Sequence, residues 1–412
     1  MAARWLGLHP GEVLPIDTSQ LDLGLQFTSG RECLPLPLCI GQLVELHRRR
    51  RPGDILGFYM LRGGAPCVSE WFYGYFERFL AEHHLEDVFL LSPARENDYL
   101  GFDPAILLKH LSPAVLIADI LVEMESVLRV VGPPGTLEQL HQEWKQLTAM
   151  ADTLHEFHAQ LPVFIDRLAA LPRTRDPRSC PRVVVTGDFF TRFSPFFMEG
   201  VGERYAQHGI ILKPVDLSDL FLYVAYDSLA ETAGDWGLKP GGLALAKACT
   251  RVFEPDGQRF LERWWSYQSG RKAEEHYRDV CGKSGLLVSQ PNDVAVVFAK
   301  SSEHISPKIF GEVTPTVGRS VDAEQEGYDG ILLIGPFNCL PFRISEAVLR
   351  PSTMRQGMPL LTYETDGCAV APSAIRQIDV HIDQVLEHHH GCCCAGHREP
   401  TPKGHIPHDV AR

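Results

Sequence analysis

The chain has 412 residues, of which 44% are hydrophobic and 22% charged, and its formal net charge is −13. This composition is typical of a water-soluble globular protein with about two to three domains. The acidic balance excludes the broad basic field that holds a phosphate backbone, so we expect no nucleic-acid partner. The N-terminus has no long apolar segment typical of a secretory signal, and we expect a cytoplasmic protein with no membrane association.

The N-terminal third predicts a strand, a helix and a second strand. Residues 53–61 and 87–91 are short apolar runs bounded by turn residues, and residues 69–84 between them have helical periodicity. This order indicates a parallel strand pair joined by a crossover helix. We therefore assign residues 1–110 to a first α/β sub-domain.

The next region is predicted to be helical. One helix covers residues 104–130, and another begins at Thr136, with Gln139 placed for a capping box. Its apolar stripe continues to residue 161, and Pro162 is expected to kink it. Residues 111–175 therefore form a helical segment. Residues 172–181, rich in Pro and Arg, are the best linker candidate.

The remaining chain predicts a second α/β sub-domain with a helical insertion over residues 182–388. Trp264 and Trp265 in the insertion are expected to be packed inside. The tail over residues 389–412 is rich in Cys and His and is predicted to be disordered. We predict strands at 182–187, 210–214, 294–299, 330–335 and 358–364, and helices at 195–207, 241–281, 342–355 and 372–387.

Three of the 11 cysteines share a setting. Cys33, Cys67 and Cys339 each lie in a Gly/Pro-containing loop next to a predicted helix start, and Cys339 directly follows a buried strand. Helix N-termini favour the thiolate form that binds metals. A single cysteine of this kind is usually a packed thiol, but three in such loops favour a metal site. Their wide spacing excludes single-stretch ferredoxin patterns and disfavours a structural zinc site.

Three blocks of sequence carry a family resemblance. They are residues 26–43 (QFTSGRECLPLPLCIGQL), residues 63–73 (GGAPCVSEWFY) and residues 311–367, which include Gly335-Pro336-Phe337-Asn338-Cys339-Leu340-Pro341. The chain resembles the 2-hydroxyacyl-CoA dehydratase and benzoyl-CoA reductase superfamily. It is most similar to the iron–sulfur portion of the long CoA-enzyme activase-like proteins.

The resemblance implies a cofactor and a fold. It assigns Cys33, Cys67 and Cys339 as ligands of a 4Fe–4S cluster, or of one half of a double cubane, with one iron corner left open. It also implies two Rossmann-like, parallel-sheet sub-domains with the cluster in the cleft between them. Cys33 and Cys67 would come from the first sub-domain and Cys339 from the second.

The resemblance also implies an activity and partners. The expected function is the transfer of low-potential electrons to a small-molecule substrate, with an acyl-CoA thioester as the family default, in a dehydratase-like or reductase-like reaction. The chain contains no P-loop, so a separate ATP-dependent activator must supply the electrons; a homologous second subunit or a homodimer is also expected. The family has a further α/β segment before the first cysteine motif. On that ground the alternative is a non-catalytic electron carrier or assembly subunit.

Several other residues are candidates for the same site. Cys368 and Cys39 are possible extra ligands, although a packed thiol is favoured for Cys39. Glu312 and Asp366 lie in family-like segments and are the catalytic candidates, with helix capping or surface pairing as the alternative role. The cysteines of the tail, Cys392 to Cys394, are not expected to bind the cluster.

Overall fold

The structure, a computed structural model, describes residues 2–394 except 9–10, 12–13, 61–66, 94, 292, 307–308, 310 and 369. The protein is an α/β protein, mostly helical, with two small sheets in which all strands are parallel. The strands are β1 (Leu56–Tyr59), β2 (Val88–Leu91), β3 (Arg182–Gly187), β4 (Ile211–Pro214), β5 (Gly330–Pro336) and β6 (Leu360–Thr365).

The helices of the first half are α1 (Ala2–Trp5), α2 (Thr18–Leu25), α3 (Pro35–Arg49), α4 (Phe72–Glu82), α5 (Pro104–Val131), α6 (Thr136–Met150), α7 (Leu154–Ala169), α8 (Phe189–Phe193) and α9 (Pro195–Gln207). Those of the second half are α10 (Leu217–Asp235), α11 (Gly242–Thr250), α12 (Pro255–Gly282), α13 (Val294–Ser302), α14 (Val313–Asp322), α15 (Leu340–Gln356) and α16 (Pro372–Cys394). Short 3₁₀ helices cover Val68–Trp71, Arg95–Gly101 and Pro177–Ser179.

The smaller sheet consists of β1 and β2, paired in parallel with Leu56 opposite Val88. The 3₁₀ turn at Val68–Trp71 and helix α4 make the crossover between the two strands. The predicted strand–helix–strand unit is therefore confirmed. Phe58 of β1 stacks on Phe76 of α4, with ring centroids 5.6 Å apart, so one face of this sheet packs against its own crossover helix.

The larger sheet has four parallel strands in the order β4-β3-β5-β6. Alternate residues bury opposite faces: Val183 and Val185 pack with residues of α9 and α16, whereas Val184 packs on the other side with Ala323, which follows α14. The chain leaves β3 toward β4 on one side and returns to β5 on the other. The carboxyl ends of β3 and β5 thus form a topological switch point, where open α/β sheets bind their ligands.

A hydrophobic core joins the two sheets. It contains Phe76 and Val88 from the region of the smaller sheet together with Leu333 of β5 and Phe342 of α15. The two sheets therefore share buried side chains.

The helical segment differs in detail from the prediction. The predicted single helix ends at Met150, and a new helix begins after Thr153. The capping box is formed by Thr153 and Glu156 and not at Thr136, whose hydroxyl donates to the carbonyl of Pro133. Thr153 and Glu156 satisfy each other's backbone amides at the start of α7. The chain can therefore break between α6 and α7 while the apolar stripe continues.

Two predictions in the second half were wrong. Residues 294–299 form helix α13, which begins after Asp293, whose carboxylate accepts the backbone amide of Ala295 at 3.0 Å. A short apolar run cannot by itself distinguish a buried strand from a buried helix. Trp265 is 71% exposed, while Trp264 packs against Phe260.

The linker candidate, residues 172–181, is packed against its neighbours. The amide of Thr174 donates to the carbonyl of Val131 at 2.8 Å, and Cys180 is buried in the core formed by α5, α6, α7 and α12. This segment connects the helical layer to β3 without forming an open hinge.

The predicted disordered tail begins too early. Helix α16 continues to Cys394, and His389 is buried with its Nδ1 3.3 Å from the carboxylate of Asp329. The hydrogen bond between His389 and Asp329 holds this part of α16 against the sheet beyond residue 387. The side chains of residues 392–394, and all of residues 395–412, lie outside the described part of the chain.

Among the described helices, one is long and apolar enough to cross a membrane by length and composition. This is Ala105–Val131 of α5, with a mean hydropathy of 1.8 and 28% of its apolar window buried. We did not expect any stretch of that length from the sequence. Core helices of water-soluble proteins pass the same test, and Leu116 to Val131 contribute many residues to the largest helical core.

Candidate metal centre

Strand β5 positions Cys339 at the switch point. The strand is buried along its whole length, and Gly335 near its end has no side chain because a Cβ there would lie 2.4 Å from the ring of Phe342. After Pro336 the chain turns through Asn338, which has a positive φ of 59°. Cys339 then immediately precedes α15 and is 3% exposed.

The loop that carries Cys33 is fastened to this turn. The amide of Leu34 donates to the carbonyl of Phe337 at 3.3 Å, and the side-chain amide of Asn338 donates to the carbonyl of Arg31 at 2.6 Å. These two bonds flank Cys33, which is 8% exposed. The backbone of one cysteine loop is therefore held against the backbone of the other.

Glu32 shapes the first loop from within. Its carboxylate accepts the amides of Ser29 and Arg31 at 3.0 and 3.1 Å, and also the hydroxyl of Ser29. Burial opposes ionisation, but these hydrogen bonds outweigh it and lower the pKa of Glu32. Glu32 is therefore ionised, and its hydrogen bonds stabilise the loop that carries Cys33.

Cys33 and Cys339 lie close together, in one core and in the lining of one cavity. A hydrogen bond with Cys33 is the largest cause that raises the pKa of Cys339, followed by burial and the charge of Asp188. Two cysteines from opposite ends of the chain thus converge at one point, at the amino ends of α3 and α15.

Cys67 is the third thiol of this region. It immediately precedes the 3₁₀ helix Val68–Trp71, and its sulfur lies 3.0 Å from the hydroxyl of Ser69. Burial raises the pKa of Cys67, and the neighbouring charges of Cys33 and Asp188 raise it further. Residues 61–66, which precede it, are outside the described residues.

A cavity of about 440 Å³ opens onto Cys33 and Cys339. Its walls come from three loops and the helices that follow them, and most of its lining is apolar. The lining residues are Glu32, Cys33, Leu36, Val68, Trp71, Phe72, Tyr75, Asn338, Cys339, Leu340 and Arg343. Trp71 is 79% exposed at the mouth. The arrangement leaves the sulfur pair at the floor of a largely apolar pocket.

Two carboxylates lie together at the end of β3, and the charge of one of them, Asp188, acts on Cys67 and Cys339. Asp188 follows Gly187, and its carboxylate accepts the amide and the hydroxyl of Thr191 at 2.8 and 2.7 Å. Glu312, at the start of α14, pairs with Arg192 at 3.0 Å. Burial raises the pKa of Asp188 and raises that of Glu312 to about 7, although Arg192 opposes the shift.

Sequence reasoning did not single out Asp188 or Arg192. The available signal was the position of Asp188 directly after the buried strand 182–187, which is the edge where functional groups gather in a parallel sheet. Glu312, by contrast, was among the candidates, and it lies beside Asp188 through its bond to the amide of Phe189 at 3.3 Å.

The other candidate residues lie farther from the cavity floor. Cys39 lies in α3, and burial, with the charge of Cys33, raises its pKa to about 12. Cys368 and Asp366 are both exposed beyond the end of β6, where the Asp366 carboxylate accepts the amide of Cys368 at 3.0 Å. Neither of them lines the cavity, whereas Cys39 packs against the same core as the paired thiols.

Two further cysteines of the described chain belong to the helical core. Cys180 and Cys281 are both buried there, and burial raises the pKa of Cys281 to about 12. Their surroundings are those of packed thiols. They contrast with Cys33, Cys67 and Cys339, which lie in loops at strand ends and helix starts.

The donor set fits a thiolate-bound iron–sulfur cluster. Cys33 and Cys339 line the cavity, and Cys67 lies within reach of the charge of Cys33. Interaction with Cys33 and burial raise the pKa of Cys339, and burial raises that of Cys67. A bound iron cluster would supply positive charge and hold the thiols deprotonated. Cys33, Cys67 and Cys339 are the residues that would hold it.

No protein-family model, no curated protein and no solved structure matches the chain.

Proposed function

We propose that the protein is an iron–sulfur redox protein whose 4Fe–4S cluster, alone or as half of a double cubane, is held by Cys33, Cys67 and Cys339. The observation that supports this proposal is the closeness of the Cys33 and Cys339 thiols. The charge of Cys33 also acts on Cys67. When bound, such a cluster supplies single-electron transfer, and a set of three thiolates leaves one iron position for a further ligand.

The chain's own residues suit a reductive site. The mostly apolar cavity opens onto Cys33 and Cys339, and Trp71 and Leu340 are among its exposed lining residues. Glu312, with a pKa raised to about 7 by burial, can hold or release a proton near neutral pH at its carboxyl oxygen. Asp366, the other catalytic candidate, is exposed and lies outside the cavity lining, so its position favours the surface role.

The resemblance extends the proposal to fold, partners and substrate. We infer two Rossmann-like sub-domains built around the two parallel sheets, a cytoplasmic location, and low-potential electrons from a separate ATP-dependent activator. A second subunit or a homodimer belongs to the same proposal. The substrate is a small molecule, with an acyl-CoA thioester as the class to test first in a dehydratase-like or reductase-like reaction.

The alternative is a non-catalytic electron carrier or assembly subunit of a larger iron–sulfur complex. The exposure of Trp71 beside the cysteine cavity favours this candidate in one respect, because a large exposed aromatic at a redox site suits protein docking. Reoxidation of the reduced protein by acyl-CoA thioesters would support the enzyme. Reoxidation only by partner proteins would support the carrier.

The test is anaerobic purification after expression with added iron and cysteine, followed by iron and acid-labile sulfide analysis. We expect about four iron atoms per cubane bound by the wild type. Cys339→Ala should lose most of the iron, and Cys281→Ala, a buried thiol in the helical core, is the matched control that should keep it. A colourless wild-type protein, or equal iron in both variants, would overturn the proposal.

A further inference from the structure

The closeness of Cys33 and Cys339 also suits the formation of a disulfide in the absence of a cluster. Each backbone is fixed beside the other by the Leu34–Phe337 and Asn338–Arg31 hydrogen bonds, at 3.3 and 2.6 Å. A disulfide forms without backbone movement only where two cysteines are already held close together. The two hydrogen bonds hold the loops of Cys33 and Cys339 side by side in the folded protein.

The pair is also reachable by a small molecule. Both cysteines line the cavity of about 440 Å³, Cys33 being 8% and Cys339 3% exposed. Cys180 and Cys281 do not line this cavity, and their packing in the helical core protects them from exchange. Access therefore distinguishes the paired thiols from the other buried cysteines.

We propose that the metal-free protein forms a reversible Cys33–Cys339 disulfide, an oxidation switch that closes the site to iron. The oxidant is a low-molecular-weight disulfide such as oxidised glutathione. Cys33, the more exposed thiol, attacks one sulfur of glutathione disulfide, which forms a mixed disulfide and releases one reduced glutathione. Cys339 then attacks the Cys33 sulfur and releases the second.

The balance of the step is complete. Two protein thiols and one glutathione disulfide give one protein disulfide and two glutathione thiols, which carry the two protons and two electrons. The product occupies two of the three sulfurs assigned to the cluster, so iron uptake must wait for reduction. Cys67, whose sulfur contacts the hydroxyl of Ser69, is left as a free thiol.

The test uses the full-length metal-free protein in anaerobic glutathione buffers of graded redox ratio. Samples are quenched with acid, alkylated and digested without reduction, and the linked peptides are identified by mass spectrometry. We expect one dominant cross-link, between the peptides containing Cys33 and Cys339, that disappears with dithiothreitol. Oxidised protein should take up less than about a tenth of the iron bound by reduced protein, and reduction should restore uptake.

Variants sharpen the assignment. Cys33→Ser and Cys339→Ser should each abolish the cross-link, whereas Cys39→Ser, in the same core, should retain it. Absence of any cross-link in the wild type, or a dominant link from Cys33 to Cys67 or Cys39, would overturn the inference. The wild-type readout does not depend on whether a variant folds.

The inference and the proposed function fail separately. A protein that forms the cross-link but never binds iron would refute the cluster and leave the disulfide standing. A protein that binds iron through the three cysteines but shows no cross-link at any redox ratio would refute the disulfide and leave the cluster standing.

Discussion

Two buried polar regions of the molecule are built on opposite principles. In the first, which we call the ion-pair network, Glu123, Lys213, Asp216 and Arg278 satisfy one another in the interior between α5, β4 and α12. In the second, the cysteine site, thiols lie beside a cavity, and the buried carboxyl groups of Asp188 and Glu312 lie at the end of β3. Glu123 and Asp216 of the network each have Lys213 and Arg278 as basic partners, whereas Asp188 and Glu312 share Arg192.

The electrostatics of the two regions differ accordingly. Burial alone would raise the pKa of Asp216, but Lys213 and Arg278 outweigh it and hold the value at about 2. At the cysteine site burial prevails, and the pKa of Glu312 is raised to about 7. Buried charged groups with a full set of ion-pair partners are typical of structural networks, whereas groups with shifted pKa values near a cavity are typical of functional sites.

The largest expected effect tests the network. Arg278→Met leaves Glu123 and Asp216 with an incomplete partner set, because Arg278 donates to both and also to Ser289 at 3.0 Å. We expect a loss of about 3–5 kcal/mol in the free energy of unfolding, measured with urea. Arg271→Met on the same helix removes a partly exposed pair with Glu275 and a cation–π contact with Tyr267, and it should cost no more than about 1 kcal/mol. Equal losses in the two variants would contradict the comparison.

The second prediction concerns Glu312 and pH. Its folded-state pKa of about 7 lies above the ordinary value of 4.5, so the stability contributed by its protonated form is present at low pH and lost as the pH rises from 4.5 through 7. Glu312→Gln should therefore become more stable relative to the wild type between pH 5 and pH 8, by on the order of 2 kcal/mol.

The measurement is urea unfolding of both proteins at each pH. Asp119, at the edge of the network, also has a pKa raised to about 7, by burial and by Asp216. The difference between variant and wild type removes its contribution. A stability difference that does not change with pH would show that Arg192 compensates the Glu312 carboxylate as fully as Arg278 compensates its partners.

The third prediction sets the boundary of the cysteine site. Cys39 lies near Cys33 but within α3, and its raised pKa of about 12 arises first from burial. Cys39→Ala should cost about 1 kcal/mol of stability through lost packing and leave the bound iron unchanged. A loss of iron comparable to that of Cys339→Ala would make Cys39 a ligand.

The smallest expected effect is that of Cys368→Ala. This cysteine is exposed at the end of β6, and the structure places it outside the cavity lining. Both the free energy of unfolding, within about 0.5 kcal/mol, and the iron content should be unchanged. A lower iron content in this variant would mean that the metal site extends to Cys368, at the end of β6.

Sequence patterns were sufficient for the elements that bound these regions. The runs 182–187 and 330–335 are strands, and the predicted crossover unit of β1 and β2 is parallel. Each prediction rested on a local property, an apolar run too short for a helix and bounded by turn residues.

Residues 294–299 show where this reasoning fails. The run VAVVFA has the composition of a strand, yet it forms α13, packed against α14 and α10. Asp293, as an N-cap, was the one local signal for a helix. A short apolar run takes the conformation of the surface that buries it, and that surface is made by distant residues.

By itself, the sequence determined which residues of this protein have the chemistry of a site: the loop cysteines and Glu312. The tertiary structure decided which of them meet. The order β4-β3-β5-β6 brings the ends of β3 and β5 together, so Asp188 lies beside Cys339 while Cys368, one strand away, does not line the cavity. Strand order depends on contacts between residues far apart in the chain, which no local pattern encodes.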